Sequence, residues 1–263
     1  MPAAGLNGSF HAMSHHDDHE AEHTPEAIRE RLSGGVSQGF LKDSIFGAID
    51  GAVTTFAVVS SVAGAGLPAG LVIILGAANL LADGFSMASG NFLGTHAENQ
   101  AANRTRREEE REIETHPEGE REEIRQIFAS KGLKGETLEQ VVQAITSDKK
   151  RWVETMLQEE HGIQSSQPAA WKAAFATFVS FIIIGAVPLI AYIIDLINPD
   201  LLGNPFPVAC ALTMVSFGLI GAFKARVVGQ RTVMGVLETM AVGALASGLA
   251  YAVGYFLRPF AEM

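Results

Sequence analysis

Long apolar stretches alternate with polar ones along this chain, and their lengths are the first structural signal. Five windows, at about residues 41–64, 70–94, 171–194, 206–223 and 234–257, are apolar enough to cross a bilayer, which takes roughly 20 residues of helix. Period-two alternation is absent and backbone groups in lipid must be satisfied within a segment, so the windows read as transmembrane helices. Gly47 with Gly51, and Gly243 with Ser247, are small residues four apart that let helices approach closely. Pro188 predicts a kink in the third window.

The polar stretches organise the rest. Between the second and third windows lie roughly 70 residues, too many for a simple connector. The second helix is expected to run on through 96–114, Pro117 to start another reaching about 130, and two more to cover 137–145 and 149–161, with 165–168 a hinge. At the other end, residues 1–24 carry His11, His15, His16, His19 and His23 among acidic residues and cannot build a core, which predicts disorder. That tail is either merely solvated or a weak metal collector. Thr24-Pro25-Glu26 reads as a helix start on the membrane surface, broken by Gly34 and Gly35. The expected division is 1–35 tail and short helix, 36–95 first two spans, 96–167 helical insert, and 168–263 last three spans.

Charge adds an orientation. Only 18 % of residues are charged, and Arg104, Arg106, Arg107, Arg111, Lys149, Lys150 and Arg151 fall in the insert, with Lys224, Arg226 and Arg231 between the last two windows. The connections at 65–69 and 196–205 hold no base. The positive-inside rule therefore expects a cytosolic N-terminus and insert and an external C-terminus. No signal peptide is evident, so the first span is expected to direct insertion. The net charge of −10 comes without a basic stripe, which argues against nucleic acid. Cys210 is the only cysteine, so an intramolecular disulfide or a cysteine metal cage is excluded.

Candidate chemistry lies in two places. Asp50 sits inside the first apolar window, where a carboxylate is costly and usually lines a pathway. Asn79, Asp83, Met87 and Asn91 recur every four residues in the second, on one helical stripe. Together they suggest a transporter for something positively charged. Asp50 also fits a plainer role as a group bonding one helix to another. In the insert, ten glutamates fall between Glu98 and Glu123. Glu109 with Glu112, and Glu120 with Glu123, are three apart on either side of Pro117, so a hairpin of two helices brings the pairs together on one metal. Met156 offers a soft sulfur. The same run, Arg106-Arg107-Glu108-Glu109-Glu110-Arg111, is also the pattern of a solvated face.

The stretches Asp43-Ser-Ile-Phe-Gly-Ala-Ile-Asp-Gly-Ala-Val-Thr-Thr-Phe-Ala and Ala82-Asp-Gly-Phe-Ser-Met-Ala-Ser-Gly-Asn-Phe-Leu, with five windows and a glutamate-rich insert after the second, resemble the vacuolar iron transporter family over about residues 35–260. The resemblance implies an all-α membrane protein of five transmembrane helices with a cytosolic helical metal-binding insert between the second and third. It also implies homodimers and proton-coupled export of Fe²⁺ from the cytosol. Carried over by position, it implies Asp50 and Met87 along the transport pathway, and Glu109, Glu112, Glu120, Glu123, Met156 and Glu160 as metal ligands; Asp43, Asn79 and Asp83 complete the expected pathway. Leu157 stands where some relatives have a second methionine, and Asn79 where some have an acid.

The expected function is thus a transporter, not an enzyme, in which Fe²⁺ and H⁺ alternate at Asp50 with help from Asp83 and Met87. Mn²⁺, Co²⁺ and Zn²⁺ are the other candidate ions, since oxygen-rich sites discriminate poorly among them. The expected partners are the lipid bilayer, divalent metals, protons and a second copy of the chain. A bacterial inner membrane fits best, or a vacuolar one in a eukaryote. The rival is a membrane-anchored ferroxidase or iron-sequestering protein, which wants a Glu-x-x-His pair on each of two helices; the insert offers none.

Overall fold

The computed structural model describes residues 24–33, 38–164 and 167–261. The histidine-rich tail, Gly34 and Gly35 lie outside these residues, as does part of the 165–168 hinge. Among the described residues the chain forms helices and no strand. Helix α1 (Pro25–Ser33) belongs to a separate N-terminal unit ending at Gln38. Thr24 caps it, its Oγ1 accepting from the Ala27 N–H at 3.3 Å, and Pro25 takes the first helical position, where no backbone donor is needed.

Helices α2 (Gln38–Gly64) and α3 (Ala69–Thr115) follow, joined by a tight turn at Gly66. Helix α3 is 47 residues long and unbroken, apolar in its first half and charged in its second. It stops where Pro117 forces His116 out of helical geometry, and α4 (Pro117–Ser130) starts at that proline. Helices α5 (Gly135–Thr146) and α6 (Lys149–Glu159) complete the insert. The last of these ends two residues earlier than the sequence suggests, because Gly162 adopts a left-handed conformation (φ +65°) and turns the chain back.

The third apolar window is two helices, α7 (Ala170–Gly185) and α8 (Val187–Ile197), bent by 44°. Pro188 is the cause, since it lacks an N–H and its ring collides with the carbonyl four residues back. A short turn of helix, α9 (Pro199–Leu202), leads to α10 (Pro205–Val228) and α11 (Thr232–Ala261). Asn204 caps α10 by accepting from the Phe206 N–H at 3.1 Å. Four helices, α2, α3, α10 and α11, are long and apolar enough to cross a membrane, and the α7–α8 pair makes a fifth if counted as one span.

Two apolar interiors hold the elements in place. One joins Phe56 and Val59 of α2, Leu80 of α3, Phe181 of α7 and Leu189 of α8. The other, inside the insert, joins Ile113, Ile124, Val142, Trp152 and Met156. Around the first, large apolar side chains such as Phe85, Phe175, Leu219 and Leu249 point outward, as lipid-facing residues do. Helices α2 and α7 approach closely at Gly47 and Gly51, where a Cβ on Gly51 would overlap the backbone carbonyl of Phe181. That contact holds Asp50 in register with its neighbours. Gly51→Ala should therefore destabilise the detergent-solubilised protein by about 2–3 kcal/mol in thermal melts. Gly90→Ala, whose Cβ would meet open space, should be neutral or gain up to about 1 kcal/mol from helix propensity.

Candidate metal centre

Within the apolar half of α3, Asn79, Asp83, Met87 and Asn91 are all half-buried, as one stripe requires. The Asp50 and Asp83 carboxyl groups lie close enough to act on each other electrostatically. Asn91 is a junction: its Nδ2 donates to Asp43 Oδ1 at 3.1 Å and to Thr177 Oγ1 at 2.7 Å, tying α3 to α2 and α7. Asn79 has its buried Nδ2 without a partner. Met87 packs against the apolar interior.

The charged half of α3 and the helices α4 and α6 build the second set. Helical periodicity puts Glu109 on the face of Ile113, and Glu120 on that of Ile124, so packing of the two isoleucines draws both carboxylates inward. Lysines and arginines in this region pair with other glutamates. Arg104 pairs with Glu108, Arg125 with Glu122 and Glu139, Lys131 with Glu159, Lys149 with Glu114, and Lys150 with Glu154. Among the described residues, Glu109, Glu112, Glu120, Glu123 and Glu160 make no such pair, and their charges act on one another. Of these five, Glu109 and Glu120 are buried, whereas Glu112, Glu123 and Glu160 are exposed.

Burial is severe for two members. Glu109 and Glu120 each keep one buried carboxylate oxygen without a hydrogen-bond partner. Burial first, then the charges of Glu123, Glu109, Glu112 and Glu160, pushes the Glu120 carboxyl up from 4.5 to about 7. Glu123 is raised as well, by burial and then by Glu160 and Glu109. Met156 is fully buried with Ile113, Ile124 and Trp152, a packing position. The residue missed by sequence reasoning is His161, whose Nε2 lies 2.8 Å from Glu109 Oε1. Ligand atoms of Glu109, Glu160 and His161 fall within 4.8 Å of one another. The signal for it was Gly162-Ile163: a glycine then an apolar residue after a helix marks a closing turn, here made by the Ile163 N–H to the Leu157 carbonyl at 2.8 Å.

A helix bearing polar groups in its apolar half and a carboxylate cluster beyond it agrees with what sequence comparison finds. The VIT family profile matches residues 41–255. The chain belongs to the VIT family. Similar proteins include "Vacuolar iron transporter 1" of Tulipa gesneriana, 29 % identical over 210 residues, covering 80 % of this chain and 83 % of that one. "Vacuolar iron transporter 1" of Oryza sativa subsp. japonica is 30 % identical over 208 residues, 79 % and 81 % of the two chains. "Vacuolar iron transporter" of Toxoplasma gondii is 30 % identical over 221 residues, 81 % and 73 %. In this VIT-family chain the matched segment contains both sets of polar residues.

The Glu120 shift has a consequence for stability. A carboxyl group held higher when folded than when unfolded favours the folded state below pH 4.5, and that contribution is lost as pH rises through about 7. With metal chelated, the insert should therefore be less stable at pH 8 than at pH 5. Glu120→Gln should recover roughly 1–2 kcal/mol at pH 8, after allowance for solvent screening, and much less at pH 5. Buried Trp152 reports the transition once the exposed Trp171 is replaced by phenylalanine.

Proposed function

We propose that this VIT-family protein is an integral membrane transporter that moves divalent metal, Fe²⁺ foremost, out of the cytosol in exchange for H⁺. One observation carries the reading: a single unbroken helix, α3, bears the intramembrane polar stripe at one end and half of the carboxylate cluster at the other. Asn91 and Glu109 are 18 residues apart, about 27 Å along the helix. The names of the similar proteins support iron as the cargo.

In this reading α7 and α8 form one bent span, giving five. The basic residues of the insert and of the α10–α11 connection then face the cytosol with the N-terminus, leaving the C-terminus outside. Residues 1–35 form the tail and surface helix, and 96–167 the cytosolic domain. Glu109, Glu112, Glu120, Glu123 and Glu160 gather metal there, with Met156 lining the interior behind them. The ion passes along Asp43, Asn79, Asp83 and Met87 to Asp50. Two nearby carboxylates in a poorly solvated segment require a proton or a cation between them. An arriving dication displaces the proton and a returning proton releases the ion, which is exchange at one site. Two copies assemble in the membrane, as the family resemblance implies. A ferroxidase is not favoured, because the carboxylate cluster holds one histidine where a di-iron centre of that type takes two.

Fe²⁺ uptake into proteoliposomes under an imposed pH gradient tests this. Uptake should require the gradient and fall at least about tenfold in Asp50→Ala, about 1.4 kcal/mol or more in barrier terms. The Glu109/Glu112/Glu120/Glu123 quadruple alanine variant should lose metal binding to the insert and slow uptake at low Fe²⁺. Competition by Mn²⁺, Co²⁺ and Zn²⁺ in the same assay ranks the cargo. Wild-type rate and pH dependence in Asp50→Asn would overturn the exchange mechanism.

A further inference from the structure

We propose that His161 is a nitrogen ligand of the metal centre in the insert, binding beside Glu109 and Glu160, and that it biases the centre away from Mg²⁺ and Mn²⁺. This rests on the reading of the glutamate cluster as a metal centre and adds to it the residue that sets its selectivity.

The position is built, not incidental. Helix α6 ends at Glu159, and the chain closes on itself through the Ile163 N–H to the Leu157 carbonyl, with Gly162 in the left-handed turn. Ile163 packs against the insert's apolar interior, which anchors that turn. His161 is thereby held at the helix end with its Nε2 2.8 Å from Glu109 Oε1 and 3.8 Å from Glu160 Oε2. The Glu109 side chain is only 5 % exposed, and its second oxygen has no partner. Glu120, which feels the charges of Glu109 and Glu160, also keeps a buried oxygen unpartnered. The Glu109 carboxylate thus sets one oxygen against the imidazole and keeps a second, buried oxygen available to another ligand atom or ion.

The spacing suits a metal. Two donor atoms 2.8 Å apart, each roughly 2.1 Å from an ion, subtend about 85° at it, close to the cis angle of an octahedral centre. In the metal-free chain one proton fills that space as a hydrogen bond between the two groups. A metal entering the site takes the lone pair of Nε2 and leaves the ring proton on Nδ1. Carboxylates alone suit Mg²⁺, Ca²⁺ and Mn²⁺ as well as Fe²⁺, whereas imidazole nitrogen favours the later divalent ions. One nitrogen among five carboxylates therefore separates a transition metal from the hard cations.

The test uses the full chain in detergent, with the five tail histidines, His96 and His116 changed to alanine so that His161 is the one imidazole left. Pulsed EPR of one bound equivalent of Mn²⁺ should show ¹⁴N coupling that disappears in His161→Ala. Calorimetry should show Co²⁺ binding weakened at least about tenfold in His161→Ala and Mn²⁺ binding by less than about threefold. His161→Asp, an oxygen donor, should restore Mn²⁺ affinity but not the Co²⁺ preference. A wild-type site that binds metal without ¹⁴N coupling, or variants that weaken both ions equally, would overturn the ligand role and leave the centre intact. Absence of any binding by the wild-type insert residues would overturn the centre itself. The ¹⁴N measurement is made on chains with His161 present, so it stands even if a variant misfolds.

Discussion

Taking a carboxylate out of water costs several kcal/mol unless a cation, a proton or a hydrogen-bond donor takes the solvent's place. Both polar sets in this chain press against that constraint. In the insert, Glu109 and Glu120 are buried with an oxygen each unpaired, while the lysine and arginine ion pairs go to other glutamates. In the apolar half of the chain, Asp50 and Asp83 act on each other, and neither pairs with a lysine or arginine among the described residues. The acidic composition alone does not make this argument; the burial of Glu109 and Glu120 does.

The architecture keeps the two sets at fixed separation. Helix α3 has no proline or break between Ala69 and Thr115, and it packs on α7 and α8 at one end and on α4 and α6 at the other. Asn91 stitches it to Asp43 and Thr177 at the end of the apolar half nearer the insert, and Asn99 donates to the Pro168 carbonyl at 3.0 Å where α7 is about to begin. Close glycine contacts between α2 and α7 leave no slack for Asp50 to turn aside. The helix is a strut, so events at the carboxylate cluster and in the apolar half share one rigid element.

Much of this was legible from patterns that depend on a single helix. Apolar length marked the windows, Pro117 and Pro188 marked the hairpin and the bend, and four-residue spacing marked the stripe from Asn79 to Asn91. What escaped depends on contacts between helices. Asn91 read as one more stripe member, because nothing local says that Asp43 and Thr177 converge on its amide. His161 stands in no Glu-x-x-His spacing, and its neighbour across space is Glu109, 52 residues earlier.

The methionines close the argument about donors. Met87 and Met156 both belong to apolar interiors, and Met156 is fully buried among isoleucine, valine and tryptophan side chains. Leu157, which stands where the resemblance implies a second methionine, is 3 % exposed in that same interior. Leucine and methionine have similar volume, and the exchange between them costs little in a packed core. Positions 156 and 157 both contribute to packing in this chain. The ligand atoms that come within 4.8 Å of one another are those of Glu109, Glu160 and His161, oxygens and an imidazole nitrogen, donor types that divalent transition metals accept.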